Sequence, residues 1–189
     1  ENGKVSEINI NNELNIPVSN LILATGHSAR DIYEILHSNG VKLMAKSFAI
    51  GVRVEHTQDF IDQAQYGKTN DDFLPPSSYK LATQIEGKGV YSFCMCPGGI
   101  IAPCATSQEE VVTNGWSPSK RNNPYSNSGI VVSVSPDDLN DPTSPFVCLN
   151  FQKEIEHKAW SLAGKNQKIP AQCLLDFIEN KKSSEFPRS

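Results

Sequence analysis

A short apolar run that leads directly into a glycine and a helix start constrains the fold of this chain most. Residues 21–26 read Leu-Ile-Leu-Ala-Thr-Gly, and such a continuous apolar run is typical of a strand that is covered on both faces, as in a parallel sheet. Ser28 and Asp31 then have the spacing of a helix-capping box, and Asn39 and Gly40 are typical of a helix end. The sequence therefore predicts a buried strand, a tight turn and a helix in succession.

The end of this predicted strand is a candidate cofactor site. Open α/β sheets bind ligands at such strand ends, because a glycine lets the backbone approach the ligand and the helix start favours an anion. The alternative is that Gly26 only permits a tight turn and Ser28 only caps a helix. The candidate cofactor-binding residues are Thr25, Gly26, His27 and Ser28.

The rest of the chain has the pattern of a second unit that is rich in short strands. Apolar residues alternate at 48–55, which predicts a half-buried strand, and 57–66 has a helical pattern. Prolines then separate short apolar runs, which is typical of an antiparallel sheet or a small barrel. Two helices are expected after Pro145 and Pro170. The runs lie at 79–86, 89–96, 100–105, 110–113 and 129–134.

Composition excludes several classes of function. The formal net charge is −4, so the chain has no basic surplus for nucleic acid or an anionic membrane surface. No apolar run approaches the length of about 18 residues that a membrane span needs. The five cysteines are an odd number and lack the spacing of a metal site. We therefore expect a cytoplasmic chain without a disulfide framework, a metal, a nucleic-acid partner or a membrane partner.

Several segments carry a resemblance to flavoproteins. Ala24-Thr25-Gly26 after an apolar strand resembles the second signature of flavoproteins with the glutathione-reductase type of FAD domain. In those proteins a hairpin or a three-stranded meander precedes the strand, as a predicted hairpin at 4–18 does here, and the glycine lies near the dinucleotide. Four segments in order also resemble the bacterial family of uncharacterised FAD-dependent dehydrogenases. These segments are 24–31, 48–56, 94–99 and 127–128.

The resemblance implies that a longer protein binds FAD. Such an intact protein would carry a Rossmann fingerprint before this chain and a segment after it that closes over the flavin. The chain begins with Glu1, and the G-x-G at Gly87 and Gly89 has Ser92 where the third glycine belongs, so we interpret it as a hairpin turn. We therefore expect an internal fragment that does not bind FAD alone and whose partners are the missing N- and C-terminal parts.

Two further segments are candidates for the flavin side or the substrate side. A cysteine beside a Pro-Gly-Gly turn can present a thiolate, or its N–H groups can form an anion-binding nest. A polar, proline-bounded loop near 120–128 can meet an anionic substrate or phosphate. The alternatives are small core residues that end in a turn and a merely solvated loop. The candidates are Cys96, Pro97, Gly98, Gly99, Arg121 and Asn127.

The predicted fold class is α+β. A remnant of an α/β FAD-binding domain at 1–47 is joined to an antiparallel or mixed, barrel-like cap domain at 48–168 with flanking helices. A helix and tail at 169–189 lead back toward the FAD domain. The sequence thus predicts a cap domain that lies, along the chain, between two segments associated with the FAD-binding domain.

The predicted function is that of the central fragment of an FAD-dependent oxidoreductase. Its small-molecule substrate is unknown, NAD(P)H is one candidate electron partner, and no catalytic acid or base can be named. The flavin would carry the electrons while protein groups position the substrate. Two alternatives remain open: a non-catalytic binding or interaction domain, and a thiol-based redox module that uses Cys96.

Overall fold

The computed structural model describes residues 3–67 and 73–186. They belong to two compact units, Glu1–Leu43 and Met44–Ser189. In the first unit, strands β1 (Glu7–Ile10) and β2 (Leu14–Pro17) form an antiparallel hairpin, and helix α1 spans Arg30–Ser38. Asn11 and Asn12 form the turn with positive φ angles of 54° and 61°, which asparagine tolerates. The predicted hairpin is confirmed.

The prediction of a buried strand at 21–26 is wrong for the described structure. These residues form no strand, and the side chains of Leu21, Ile22 and Leu23 are 56%, 88% and 54% exposed. A strand that is covered on both faces needs neighbouring strands for its backbone hydrogen bonds. Within the described residues of this unit, the two strands pair only with each other, so the apolar run has no sheet to join.

Helix α1 differs from the prediction at its start and agrees with it at its end. Ala29 is the N-cap residue, and no side chain caps the helix, so the proposed capping box of Ser28 and Asp31 does not form. Gly40 has a φ of 78° and donates its N–H to the carbonyl oxygen of His37 over 3.0 Å. This left-handed glycine ends the helix as predicted.

The second unit is built on two antiparallel sheets. A four-stranded sheet has the order β3-β8-β5-β4, and β6 pairs with β7 in a separate two-stranded sheet. No closed barrel forms among the described strands, and the α+β class is confirmed. The strands are β3 (Phe48–Thr57), β4 (Ala82–Ile85), β5 (Lys88–Cys96), β6 (Ile100–Cys104), β7 (Val112–Trp116) and β8 (Tyr125–Val134).

The described part of this unit also contains three α-helices: α2 (Gln58–Tyr66), α3 (Val147–Leu162) and α4 (Leu174–Ile178). The Thr57 side chain accepts a hydrogen bond from the N–H of Phe60 and caps α2. The ring of Phe151 on α3 meets the ring of Phe48 on β3 edge-on at 6.4 Å. None of the described helices is long and apolar enough to cross a membrane.

The turn between β4 and β5 explains the G-x-G at positions 87 and 89. Glu86 and Gly87 have φ angles of 51° and 78°, and Ile85 pairs with Lys88 across the turn. Two successive positive φ angles are typical of a two-residue hairpin. The interpretation of this segment as a hairpin turn is confirmed.

Candidate functional site

The centre of the candidate site is strand β8, where Ser126, Asn127 and Ser128 are fully buried. The sequence predicted that Asn127 lies in a polar, proline-bounded loop, and that placement is wrong because Asn127 lies in a strand. Asn127 lies in a strand that pairs with β3 on one side and β5 on the other. Buried polar side chains require hydrogen-bond partners, so their contacts identify what this strand holds in place.

Asn127 holds the guanidinium group of Arg53. Gly129 pairs with Arg53, so Asn127, two residues away on β8, lies on the same face of the sheet. Arg53 Nη1 donates to Asn127 Oδ1 over 2.8 Å, and Arg53 Nη2 donates to the carbonyl oxygen of Cys94 over 2.7 Å. We refer to Arg53, Asn127 and the Cys94 carbonyl as the arginine cluster. The sequence pattern did not indicate a role for Arg53, because alternation at 48–55 shows only which face of a strand a residue occupies.

Gly115 on strand β7 makes room for the arginine cluster. A Cβ atom at this position would lie 1.9 Å from Arg53 Nη1 and 2.6 Å from Asn127 Oδ1. Any other side chain would therefore overlap the guanidinium. A glycine inside a strand pattern was the one signal in the sequence that could have indicated this close approach.

Cys94 and Cys96 lie at an irregular point of strand β5. The register between β5 and β8 shifts between Phe93 and Cys96, and Cys94 has a φ of 48°. This bulge leaves Cys94 exposed and Cys96 only 7% exposed. The thiol of Cys96 donates to the Cys94 carbonyl over 3.4 Å, and burial raises the pKa of Cys96. A raised pKa disfavours a reactive thiolate.

The Pro-Gly-Gly turn after Cys96 is buried as a whole, since Cys96, Pro97, Gly98 and Gly99 are all buried. Gly98 has a φ of 51°, and a Cβ atom there would lie 1.9 Å from the carbonyl oxygen of Arg121. Its N–H donates to Gln58 Oε1 over 2.8 Å, so this N–H is not free for an anion. The side chain of Ser117 donates to the Pro97 carbonyl over 2.8 Å. The turn therefore has a structural role as the buried connection between β5 and β6. The side chain of Arg121, whose carbonyl oxygen lies beside Gly98, belongs to an exposed residue.

Gln58 connects this turn to helix α2. Its Nε2 donates to Asp62 Oδ1 over 2.9 Å and to the carbonyl oxygen of Ser77 over 3.0 Å. Burial acts to raise the pKa of Asp62, but hydrogen bonds from Ser77 and Gln58 outweigh it and lower that pKa. Gln58 is 6% exposed, so its amide fixes the buried turn rather than facing solvent.

A second polar network lies on the other face of the sheet. His56 pairs with Ser126, and its Nδ1 lies 2.9 Å from Ser126 Oγ, while its Nε2 lies 3.0 Å from the hydroxyl of Tyr79. Burial lowers the pKa of His56. Burial also raises the pKa of Tyr79, against opposing effects of a hydrogen bond with Ser128 and the charge of Arg53. The lowered pKa favours the neutral form of His56, and a hydroxyl group lies beside each of its ring nitrogen atoms.

In the first unit, Thr25, Gly26, His27 and Ser28 are exposed. Gly26 has a φ of 81°, and no heavy atom lies within 4 Å of the position that a Cβ would take. The Oγ of Ser28 lies 3.4 Å from His27 Nδ1. The backbone at Gly26 is therefore open to a close approach from outside the described chain.

Metal chemistry finds no support in residues 3–67 and 73–186. No group of three or more histidine, cysteine, aspartate or glutamate side chains in these ranges converges to hold a metal ion. The thiols of Cys94 and Cys96 differ in exposure, and Cys104 is half-buried on β6.

Comparison with known proteins shows to which family the chain belongs. A family model described as "FAD-dependent protein, C-terminal domain-like" matches residues 47–189. The chain belongs to this family. An "Uncharacterized protein" of Clostridium beijerinckii (strain ATCC 51743 / NCIMB 8052) is 42% identical over 189 residues, which cover 98% of this chain and 35% of that protein. The chain thus spans about a third of the length of this relative.

The family implies FAD, and two features of this chain fit that cofactor. The left-handed turn at Gly26 has open space beside it, which a dinucleotide backbone contact requires. The arginine cluster supplies a positive charge beside the exposed Cys94, and flavins and their phosphates carry anionic oxygen atoms. The residues present are therefore compatible with an FAD-dependent protein.

Proposed function

We propose that this chain is the central part of an FAD-dependent oxidoreductase that has an FAD domain of the glutathione-reductase type. Residues 1–47 complete the FAD domain, residues 48–168 form the domain that faces the substrate, and residues 169–189 lead back toward the FAD domain. The substrate is a small molecule, NAD(P)H is a candidate electron partner, and the protein is cytoplasmic. This proposal goes beyond membership of the family, which concerns FAD dependence alone.

One observation carries the proposal: an exposed apolar segment leads into an open glycine turn. The side chains of Leu21, Ile22 and Leu23 are more than half exposed, although such residues are usually buried. Gly26 follows with a φ of 81° and open space beside it. A strand that joins the sheet of an FAD domain, with the dinucleotide at its carboxyl end, would account for both features.

The residues of the chain would divide the work as follows. Thr25, Gly26, His27 and Ser28 contact the dinucleotide. The remaining candidates lie on the flavin or substrate side, where they position the substrate and exclude water. When bound, FAD supplies the transfer of a hydride or electrons, which no side chain provides. These remaining candidates are Cys96, Pro97, Gly98, Gly99, Arg121 and Asn127.

The test compares two glycines of the first unit in the intact protein. Gly26 and Gly40 both have positive φ angles, 81° and 78°, and open space at the Cβ position, so Gly26→Ala and Gly40→Ala carry the same backbone strain of about 1–2 kcal/mol. We expect Gly26→Ala to weaken FAD binding by about tenfold or more and Gly40→Ala to leave it near the wild-type value. Equal FAD affinities of the two variants would contradict the proposed dinucleotide contact.

A further inference from the structure

Arg53 is a half-buried cation that lacks a carboxylate partner within the described residues. Its hydrogen bonds go to an amide oxygen and a backbone carbonyl, both of which are neutral. Glu55, two residues further along β3 on the same face, is exposed and forms no ion pair with it in the described structure. Charges that are partly removed from water are usually paired. Arg53 therefore has the chemistry of a site for an anion.

The guanidinium group is held in a fixed position before any ligand binds. Asn127 fixes Nη1 from the fully buried centre of β8, and the Cys94 carbonyl fixes Nη2 at the bulge of β5. Cys94 is exposed, so the Nη2 end lies toward the accessible side of the cluster. Further N–H donors of the guanidinium are not engaged by the described residues. A pre-positioned donor group loses less entropy when it binds a ligand.

Two features of this arrangement are unfavourable for stability or restrict the sequence. Asn127 Nδ2 is buried and has no hydrogen-bond partner among the described residues. Its orientation is set because a flipped amide would turn its N–H groups toward the N–H groups of Arg53. The guanidinium can keep this position only while Gly115 has no side chain, since a Cβ would overlap Nη1. Buried polar groups without partners and positions that break local sequence rules are found most often at functional sites.

We propose that the arginine cluster binds an oxyanion, with a carboxylate as the best match, and this inference rests on the proposed flavin-dependent function for its role. A guanidinium pairs two oxygen atoms of a planar carboxylate at once. The anionic oxygens have two sources in the intact protein: a carboxylate group of the small-molecule substrate and the FAD molecule itself. Both present the same chemistry to Arg53.

The experiment titrates sodium acetate, and separately inorganic phosphate, into the 189-residue chain at constant ionic strength while NMR follows the side-chain Nε–Hε signal of Arg53 and the backbone N–H signals of Cys94 and Asn127, whose oxygen atoms accept from Arg53. We expect a saturable shift of all three signals in the wild type and no saturable shift of the two backbone signals in Arg53→Gln. In Arg53→Lys we expect the acetate affinity to fall by about tenfold, because lysine keeps the positive charge but cannot pair two oxygen atoms of a carboxylate at once. Lys158→Gln removes an exposed charge on α3 and keeps the site. An Arg53 signal that is unmoved by both anions overturns the inference.

Asn127→Asp keeps the test valid if Arg53→Gln fails to fold. The aspartate places a carboxylate against Arg53 at the position of an existing acceptor 2.8 Å away, so the cation becomes paired from within. We expect acetate binding to fall by about tenfold or more in this variant while the Arg53 signal remains observable. Unchanged acetate affinity in Asn127→Asp would also overturn the inference.

The intact protein separates the two sources of the anion and the two proposals. If FAD loading abolishes the acetate response of Arg53, the flavin is the anion; if acetate still binds to the FAD-loaded protein, the substrate supplies it. Both results support an oxyanion site. An intact protein that takes up no FAD while Arg53 still binds acetate contradicts the proposed function alone. If the intact protein takes up FAD but neither FAD nor the added anions shift the Arg53 signal, this inference alone is contradicted.

Discussion

Substitution of Gly115 by alanine tests whether the arginine cluster is packed as described. The new methyl group would lie 1.9 Å from Arg53 Nη1, 2.5 Å from Arg53 Cζ and 2.6 Å from Asn127 Oδ1. Asn127 is fully buried in the central strand, whereas the arginine side chain is flexible at its end. Gly115→Ala should therefore displace the guanidinium from both of its hydrogen bonds.

The expected loss of stability follows from which partners can recover water. Cys94 is exposed, so its carbonyl and the displaced guanidinium can be hydrated again. Asn127 Oδ1 remains buried without a donor, which costs about 1–3 kcal/mol, and the imperfect packing of the methyl group adds about 1 kcal/mol. We expect Gly115→Ala to lower the free energy of unfolding by about 2–4 kcal/mol.

Urea unfolding of four chains measures this effect: the wild type, Gly115→Ala, Arg53→Ala and the double variant. Without the arginine side chain, the methyl group enters vacated space and Asn127 can turn away, so Gly115→Ala should cost less than half as much in that background. Gly89→Ala is the matched control, since a Cβ there meets only the Ser133 side chain at 3.3 Å. An equal cost of Gly115→Ala with and without Arg53 would refute the proposed packing.

Three further results are expected. Because burial lowers the pKa of His56, its unfolded state binds more protons below about pH 6.5, so the urea midpoint should fall as the pH drops from about 7.5 to about 5.5, and less steeply in His56→Gln; parallel curves would contradict this. Iodoacetamide should alkylate Cys94 at least about tenfold faster than Cys96 in the folded chain, whereas faster reaction of Cys96 would support the thiol-based redox module. Gln58→Ala should cost about 2–4 kcal/mol in urea unfolding, since the Gly98 N–H and the Ser77 carbonyl lose their buried partner; a cost near zero would show that water replaces the amide.

The sequence predicted those elements whose signals are local. The hairpin turn at Gly87, the helix predicted at 57–66 and the left-handed Gly40 each depend on residues close together in the chain, so periodicity and turn patterns suffice to find them. The alternation at 48–55 likewise located strand β3, but Val52 of the predicted buried face is 52% exposed.

The remaining features depend on contacts between distant segments. The arginine cluster and the glycine beside it join β3, β5, β7 and β8, which no local pattern places together. The bulge at Cys94 interrupts the regular alternation of β5 and depends on its pairing with β8. Residues 21–26 had the pattern of a buried strand, but burial also requires a neighbouring sheet, which the described residues of the first unit do not supply.

The most direct measurement is the flavin content of the intact protein. We expect that the protein purified with the regions beyond this chain has the visible absorbance of bound FAD, or takes it up stoichiometrically after removal and titration. We expect the 189-residue chain to show neither. An intact protein that is fully folded, colourless and unable to take up added FAD would contradict the proposal that the turn at Gly26 contacts a bound dinucleotide.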